Sequence, residues 1–290
     1  MMLNELIHLL KEHQFNQPID DVQSVSGGSI NKAYYVRAND GEYFVKINKG
    51  IPSHFFRVEA KGLKEIESTR TIQVPHVHYY NEPTDEETGI LILDWVEGSK
   101  TPYTDEKLGQ NLAQMHKTGQ ISFGYEEDTF IGVLPQPNGW YDSWISYYRE
   151  RRLYPQYQLA LEQGRMTGKR KIQMEKLLDQ LDRWIPEPAR PSLLHGDLWG
   201  GNWVVGSGGT PYLIDPSILY GDHVFEISFT ELFGGFSQTF YRAYEEIYPL
   251  PDYYEDVKPL YQLYYLLVHL NLFGEGYGGS IDRILSRYIS

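Results

Sequence analysis

The chain has 290 residues, a formal net charge of −13, and a composition that is 41% hydrophobic and 14% aromatic. This length and apolar content predict packed globular cores, and they suit two unequal lobes better than one minimal core. The absence of cysteine excludes disulfides and thiolate chemistry. The acidic balance argues against a nucleic-acid or anionic-membrane partner, and no apolar run approaches the length of a membrane helix.

The first elements predict two strands joined by a glycine-rich turn. Residues 3–13 have the apolar spacing of a short helix, and the runs 22–25 and 33–38 are rich in Val and Tyr, as strands are. Between them lies Ser26-Gly27-Gly28-Ser29-Ile30-Asn31. Glycine lets a turn bring its N–H groups close to phosphate oxygens. The turn is therefore a candidate phosphate loop, and an ordinary Gly-Gly hairpin is an equal alternative.

A lysine and a glutamate follow in positions that predict an ion pair. The strand predicted over 42–47 carries Lys46 between two apolar residues, which is unusual unless the lysine is paired or reaches a ligand. Glu59 lies on the apolar face of the helix predicted over 54–68. Because a carboxylate on a buried face needs a cation, we expect Glu59 to hold Lys46. The alternative is a rim position for Glu59 on a surface helix.

Two further strands, 76–80 and 90–95, complete an antiparallel α+β lobe. The chain then crosses to a helical remainder, and its backbone at the crossing is suited to pair with the edge of an adenine. We therefore predict an N-lobe of residues 1–96 and a C-lobe of residues 97–290.

The C-lobe pattern is mainly helical. We predict helices over residues 104–119, 140–162, 169–184 and 260–273. His116, near the end of the first of these, is expected to pack or to make a structural hydrogen bond. Arg149, Arg151 and Arg152 are expected to form a solvated face, with contact to an anionic substrate as the weaker alternative.

The strongest motif is His195-Gly196-Asp197-Leu198-Trp199-Gly200-Gly201-Asn202, followed by Asp215 after a predicted hairpin. Phosphoryl transfer from ATP uses one carboxylate to accept the proton of the attacking hydroxyl, and oxygen ligands to hold Mg²⁺ against the phosphates. Asp197, Asn202 and Asp215 have the residue types and the spacing for these tasks. Two protein ligands suffice for Mg²⁺, because the metal also binds the phosphates. A loop with an exposed acid is the alternative, and the agreement with Lys46 and Glu59 weighs against it.

With these motifs the chain resembles the fructosamine-3-kinase (ketosamine kinase) family, relatives of the aminoglycoside phosphotransferases, over nearly its full length. The most specific matches are the segments 195–202, 215–222 and 233–236. The resemblance implies a bilobal protein-kinase-like α+β fold, with a small antiparallel-sheet N-lobe and a larger, mainly helical C-lobe. It also implies ATP-dependent phosphorylation of the 3-hydroxyl of ketosamines, which promotes protein deglycation.

The resemblance also implies a role for each matching residue. Asp197 is the catalytic base, Asn202 and Asp215 are magnesium ligands, and the nucleotide contacts are Gly27, Gly28, Ser29, Lys46 with its partner Glu59, and the backbone of Asp94, Trp95 and Val96. Trp199 is a candidate to flank the sugar, because an aromatic face suits a ketose or its amine, and core packing is an equal alternative. Asp222 and Glu226 are candidates to bind the substrate's amine or hydroxyls, and the alternative for Glu226 is a buried structural acid that caps the following helix.

Two rival functions remain at this point. One is a kinase of another small hydroxyl compound, such as an aminoglycoside or choline, and the other is a nucleotide-binding pseudokinase. The start of the chain lacks the layout of a signal peptide, so we expect a cytoplasmic protein. We further expect a monomer, and the sequence leaves open both the preferred ketose and whether the amine is protein-bound.

Overall fold

The computed structural model describes residues 3–12, 17–26, 30–84, 86–187 and 189–289. The chain forms two compact units: unit 1 comprises Met1–Thr104 and Val204–Asp215, and unit 2 comprises Asp105–Trp203 and Pro216–Ser290. The predicted lobes, residues 1–96 and 97–290, differ from these two units in their bounds. Residues 204–215 belong to unit 1, although they lie far beyond the predicted boundary at residue 96.

Unit 1 contains a five-stranded antiparallel sheet and two helices from the N-terminal part of the chain. In chain order these elements are α1 (Leu3–Glu12), β1 (Ile19–Val25), β2 (Lys32–Ala38), β3 (Gly41–Lys49), α2 (Phe55–Thr69), β4 (Val77–Tyr80) and β5 (Thr88–Asp94). The strand order is β1-β2-β3-β5-β4, and every pairing is antiparallel. The antiparallel α+β pattern predicted for this part of the sequence is confirmed.

The central strand β3 is buried on both faces. Val45 and Ile47 belong to a buried cluster with Leu10 of α1. Because successive side chains of a strand point to opposite faces, Lys46 lies on the other face of the sheet, and it is 4% exposed. The apolar face of α2, including the fully buried Phe56, packs within the same unit. The fold therefore buries the lysine, and burial makes a charged partner obligatory.

The remaining elements run from residue 104 to residue 288. They are α3 (Thr104–His116), β6 (Phe123–Tyr125), β7 (Thr129–Ile131), β8 (Leu134–Gln136), β9 (Gly139–Tyr141), α4 (Trp144–Tyr147), α5 (Tyr154–Glu162), α6 (Gly168–Asp179), β10 (Ser192–Leu194), β11 (Trp203–Val205), β12 (Pro211–Leu213), β13 (Leu219–Gly221), α7 (His223–Thr230), α8 (Gln238–Ile247), α9 (Tyr254–Phe273) and α10 (Gly278–Tyr288). None of the helices in the described ranges is long and apolar enough to cross a membrane.

The hairpin β11–β12 belongs mainly to unit 1 because of two backbone contacts. The N–H of Leu213 donates to the carbonyl oxygen of Gln73 at 2.9 Å, and Tyr212 forms a parallel bridge with the same residue. The hydroxyl of Thr104 donates to the carbonyl oxygen of Gly209 at 2.8 Å. These contacts fix the position of Asp215, which follows β12 directly.

Unit 2 contains more strand than the sequence predicted. Its four-stranded sheet has the order β10-β13-β6-β9, and β7 pairs with β8. The helix predicted over 140–162 begins only at Trp144, because Gly139–Tyr141 is strand β9. Three-residue strands have too few positions to show a period, and their pairing depends on residues far away in the chain.

The core of unit 2 is rich in buried aromatic residues whose polar atoms are hydrogen-bonded. The indole N–H of Trp144 donates to the hydroxyl of Tyr261 at 2.8 Å, and the hydroxyl of Tyr148 donates to the carbonyl oxygen of Leu260 at 2.6 Å. The hydroxyl of Tyr264 donates to Gln136 Oε1 at 2.6 Å. Because a buried hydroxyl is costly without a partner, these bonds fix how the aromatic rings pack.

The expectation of a solvated arginine face is wrong for Arg152, which is fully buried. Its guanidinium lies 4.7 Å from the ring centroid of Tyr147, and its Nη1 donates to the carbonyl oxygen of Pro137 at 2.9 Å. The segment Tyr148–Leu153 is a π-helix. A π-helical turn rotates side chains away from the positions that a 3.6-residue period predicts.

Candidate functional site

The predicted ion pair of unit 1 is present, and a second carboxylate joins it. Lys46 Nζ donates to Glu59 Oε1 at 2.7 Å and to Asp215 Oδ1 at 2.6 Å. The side chains of Lys46 and Glu59 are 5% and 12% exposed, whereas that of Asp215 is 42% exposed. The lysine is thus held from inside by one acid and from the solvent side by another.

Electrostatics keep this lysine charged. Burial alone lowers the pKa of Lys46, but the charges of Asp215 and Glu59 outweigh burial, so the pKa is raised above its ordinary value. Burial raises the pKa of Glu59, and the charge of Lys46 offsets only part of that effect. The result is a fixed cation beside a partly exposed carboxylate, an arrangement suited to phosphate oxygens and a metal ion.

Asp215 itself has an uncommon backbone conformation. Its φ of 57° lies in the left-handed region, which aspartate tolerates better than most residues with a side chain. Residue 215 follows β12, and the bond from Leu213 to Gln73 anchors the end of that strand. The hairpin therefore presents this carboxylate to Lys46 at a modest backbone cost.

The predicted glycine-rich phosphate turn, Gly27, Gly28 and Ser29, lies outside the described residues. The residues that follow it are anchored to β3. Asn48 Nδ2 donates to Asn31 Oδ1 at 2.8 Å and to the carbonyl oxygen of Ile30 at 3.3 Å. Because Asn48 lies two residues after Lys46, the same strand carries both the lysine and this anchor.

The predicted adenine segment offers one amide that differs from its neighbours. The N–H of Asp94 donates to the carbonyl oxygen of His76, and the N–H of Trp95 donates to that of Glu42, both at 3.0 Å. Among the residues that the structure describes, the N–H of Val96 has no hydrogen-bond acceptor. Of the three predicted residues, Val96 is therefore the one whose amide is able to donate to a ligand.

In unit 2, the predicted catalytic motif at residues 195–202 forms a loop, named the catalytic loop below, that is held by its own hydrogen bonds. Asn202 Nδ2 donates to the carbonyl oxygen of Asp197 at 2.7 Å and to its Oδ2 at 3.1 Å. The N–H of Asp197 donates to His195 Nδ1 at 3.2 Å. Because the amide nitrogen of Asn202 is used within the loop, its amide oxygen is the atom suited to a metal ion.

A buried glutamate supports the backbone of this loop. Glu226 of α7 is fully buried, and it accepts from the N–H of His195 at 3.0 Å and from the N–H of Gly196 at 2.5 Å. His116 Nε2 donates to the same carboxylate at 2.8 Å. Of the two predicted roles for Glu226, the structural one is therefore observed, although the carboxylate binds the catalytic loop and not a helix end. The structural hydrogen bond predicted for His116 is likewise present.

The charge of Glu226 is stabilised by these donors. Burial raises the pKa of Glu226, but the hydrogen bond and charge of His116 and the N–H of Gly196 outweigh burial, so the pKa is lowered. The network continues from His116 Nδ1 to the hydroxyl of Tyr244 at 2.7 Å, and from that hydroxyl to His223 Nδ1 at 3.0 Å. Burial lowers the pKa of His223 to about 3, so this second imidazole is neutral.

The contacts of Asp222 favour a structural role over the predicted substrate role. Its side chain is the N-cap of α7 and accepts from the N–H of Val224 at 3.0 Å. The other carboxylate oxygen accepts from the hydroxyl of Tyr261 at 2.8 Å. Asp222 is 4% exposed, and burial raises its pKa to about 6.

Trp199 is not a core residue, because it is 42% exposed. Its ring lies over Gly201, where an added Cβ would approach the ring to 2.3 Å. Next to it, an added Cβ on Gly200 would lie 2.9 Å from the Cα of Gly235, so the turn at 233–236 contacts the catalytic loop directly. This exposure removes the core-packing alternative for Trp199 and leaves its role at the sugar as a prediction.

The architecture is that of the protein-kinase-like fold class. The structure of aminoglycoside phosphotransferase APH(4)-Ia superimposes with a TM-score of 0.64, 18% sequence identity and 99% coverage of both chains, a likeness of fold. The predicted protein-kinase-like α+β fold is confirmed.

The family follows from the sequence comparisons. The model of the fructosamine kinase family matches residues 2–290, and the chain belongs to that family. A probable ketoamine kinase of Lactiplantibacillus plantarum is 38% identical over 97% of this chain and 100% of its own length. The chloroplastic protein-ribulosamine 3-kinase of Arabidopsis thaliana is 36% identical, with 93% and 83% covered. The crystal structure of a putative fructosamine-3-kinase from Thermobifida fusca has a TM-score of 0.87 at 30% identity, covering 99% of this chain and all of that one.

Proposed function

We propose that this protein transfers the γ-phosphoryl group of ATP to the 3-hydroxyl of ketosamines, the adducts that sugars such as ribose and glucose form with amines. Membership of the fructosamine kinase family supports this substrate class. The observation that carries the phosphotransferase chemistry is the buried Lys46, held by Glu59 at 2.7 Å and Asp215 at 2.6 Å. Kinases use such an arrangement to fix a cation on the nucleotide phosphates.

The nucleotide contacts follow from unit 1. Lys46 binds the phosphates and Glu59 orients it, and Gly27, Gly28 and Ser29 stay predicted phosphate contacts. The N–H of Val96 donates to the adenine edge. Without nucleotide, Asp215 forms an ion pair with Lys46. Once the phosphates bind, its exposed carboxylate serves as a magnesium ligand.

Asp197 is proposed as the base that accepts the proton of the 3-hydroxyl. The hydrogen bonds from Asn202 hold its carboxylate, and Glu226 holds the backbone immediately before it. Asn202 and Asp215 supply the oxygen ligands that Mg²⁺ prefers. Held by these residues, Mg²⁺ would supply positive charge that neutralises the negative charge developing during transfer. Positioning and charge stabilisation then account for most of the rate.

The product explains why such a reaction would reverse glycation. A phosphate ester on C3 is a better leaving group than the original hydroxyl. Loss of a proton from C1, which lies next to the C2 carbonyl, gives an enaminol that expels phosphate. Hydrolysis of the remaining imine releases the free amine, so the protein itself needs to perform only the phosphorylation.

The decisive experiment measures ATP- and magnesium-dependent phosphorylation of ribulosyl-lysine and fructosyl-lysine. We expect turnover of at least one of the two substrates, with phosphate on O3 by ³¹P NMR. For Asp197→Asn we expect a loss of about 10²- to 10⁴-fold in kcat. Asp179→Asn, at an exposed position of α6, is the matched control and keeps wild-type turnover. Turnover of aminoglycosides or choline without turnover of either ketosamine would contradict the proposal.

The predicted monomer and cytoplasmic location stay predictions. Light scattering coupled to size-exclusion chromatography tests the first, and a dimeric mass would contradict it.

A further inference from the structure

The side-chain amide of Gln136, at the end of β8, joins three separate segments of unit 2, and the residue is 1% exposed. Its Oε1 accepts from the hydroxyl of Tyr264 in α9 at 2.6 Å, and its Nε2 donates to Thr129 Oγ1 of the facing strand β7 at 3.0 Å. Nε2 also lies 2.9 Å from Ser217 Oγ and 3.3 Å from the carbonyl oxygen of Ser217. Because a carbonyl oxygen only accepts, the nitrogen of the amide faces Ser217 and donates to it.

Ser217 in turn contacts the backbone of the catalytic loop. Its N–H donates to the carbonyl oxygen of His195 at 2.8 Å. Its own carbonyl oxygen lies where an added Cβ on Gly196 would approach it to 2.0 Å, and the φ of Gly196 is 84°. The hydroxyl of Ser217 donates to the carbonyl oxygen of Phe130 in β7. The position of Ser217 therefore determines where the backbone at residues 195 and 196 lies.

The places of these residues along the chain connect the contact to the proposed chemistry. Ser217 lies two residues after Asp215, and His195 lies two residues before Asp197. The residue between Asp215 and Ser217 is Pro216, whose ring fixes its φ and limits the freedom of that short segment. A shift of Ser217 is thus transmitted to the backbone beside the proposed base and beside a proposed magnesium ligand.

We propose that Gln136 is a positioning residue for phosphoryl transfer, because its side-chain amide holds Ser217 against the catalytic loop. This inference rests on the proposed function, since it assigns a further residue to that reaction. Glu226 binds the N–H groups of His195 and Gly196, whereas Gln136 acts through Ser217 on the carbonyl oxygen of His195. The two supports therefore hold opposite polar groups of the same backbone. A displacement near 1 Å costs about 10²-fold in rate even when every reacting group is present.

The first test is Gln136→Met, which keeps the length of the side chain and removes both its donor and its acceptor. We expect about 10- to 100-fold lower kcat with ribulosyl-lysine, and a KM for ATP within about twofold of wild type. Gln173→Met is the matched control, because Gln173 is 5% exposed and its Nε2 donates to the carbonyl oxygen of Ile289 at 2.6 Å. The control loses a buried amide in the same unit and should keep wild-type kcat.

Ser217→Ala tests whether Gln136 acts through Ser217, and it serves on its own if Gln136→Met does not fold. The substitution removes only the hydroxyl, and we expect about 3- to 10-fold lower kcat because the backbone of residue 217 is held less firmly. The double variant should lose less kcat than the product of the two single losses, since both changes act on one contact. Wild-type kcat in Ser217→Ala, or losses that multiply in the double variant, would overturn the inference.

Hydrogen exchange gives a measurement that needs no substrate. We compare the N–H of Ser217 with that of Leu193, which donates to the carbonyl oxygen of Thr118 at 2.9 Å. In Gln136→Met the Ser217 amide should exchange about tenfold faster relative to the Leu193 amide, because the opening is local. Equal acceleration of both amides, or of neither, would show that Gln136 does not position the loop.

Turnover and exchange together separate the two possible failures. If the wild-type protein phosphorylates no ketosamine but Gln136→Met accelerates exchange at Ser217 alone, the proposed function fails and the support of the loop by Gln136 stands. If the wild-type protein phosphorylates ribulosyl-lysine and Gln136→Met has the same kcat, the proposed function stands and this inference is wrong.

Discussion

The support that Glu226 gives to the catalytic loop leads to a sharp prediction for Glu226→Gln. The carboxylate accepts three hydrogen bonds, from the N–H of His195, the N–H of Gly196 and the ring of His116, and its side chain is fully buried. Glutamine has one acceptor oxygen, and its NH₂ group would face a donor. At least one buried donor is then left without an acceptor, and His116 loses its anion.

The magnitude follows from these losses. Hydrogen bonds to a charged group are worth about 1.5–3 kcal/mol each, and a buried donor left without an acceptor costs about 1–3 kcal/mol. We expect Glu226→Gln to lose about 3–5 kcal/mol of unfolding free energy. Because Glu226 holds the two residues before Asp197, we also expect about 10²-fold lower kcat, as for a displacement near 1 Å. The KM for ATP should change little, since Lys46 lies in unit 1.

Urea unfolding and steady-state kinetics of the purified variant measure both effects. Glu255→Gln, at a carboxylate that is 73% exposed, is the matched control, and we expect wild-type behaviour. The lowered pKa of Glu226 means that its stabilisation is present above the unfolded pKa of about 4.3 and is lost as the pH falls through the native pKa, a loss that the variant should lack. A variant within about 1 kcal/mol of wild type, with unchanged kcat, would refute the supporting role.

Two further substitutions test the same region. Asp222 has a pKa raised from 3.8 to about 6. The contribution of this raised pKa to the unfolding free energy is therefore present in full below about pH 4 and is lost as the pH rises to 6. Asparagine keeps the N-cap acceptor, and Asp222→Asn should therefore gain about 3 kcal/mol relative to wild type between pH 4 and 7, from 1.36 kcal/mol per pKa unit. Urea unfolding at a series of pH values measures this gain, and a pH-independent difference would contradict it. Gly200→Ala should cost about 1–3 kcal/mol and lower kcat, because its Cβ meets Gly235 Cα at 2.9 Å and the carbonyl oxygen of Gly234 at 3.1 Å. Gly276→Ala, where nothing lies within 4 Å, is its control, and equal stability of the two variants would show that the contact yields without cost.

The parts of the site that could be predicted are those with a local signal. Composition and period alone predict an ion pair between a lysine on an apolar strand and an acid on the apolar face of a helix. Lys46 and Glu59 form that ion pair. The spacing from Asp197 to Asn202 likewise places both in one loop, where the asparagine amide reaches the aspartate. Such patterns can be read from the sequence because each one depends on neighbours within a few residues.

Prediction was weaker where burial depends on distant residues. Arg152 was expected on a solvated face but is buried, since a π-helical turn changes its direction. The short strands β6 to β9 have no period to read, and their pairing is decided by residues elsewhere in the chain. The return of residues 204–215 to unit 1 depends on backbone bonds to Gln73, which carry no side-chain signal.

The sequence by itself determined the family, because motif residues are specific in type and spacing. Only the tertiary structure decided what the buried polar residues do. Glu226 is separated by 110 residues from His116 and by 30 from Gly196, and hydrogen bonds to both give its carboxylate a supporting role. A side chain shows from sequence that it is able to accept a hydrogen bond, whereas the donors that reach it are set by how distant segments pack.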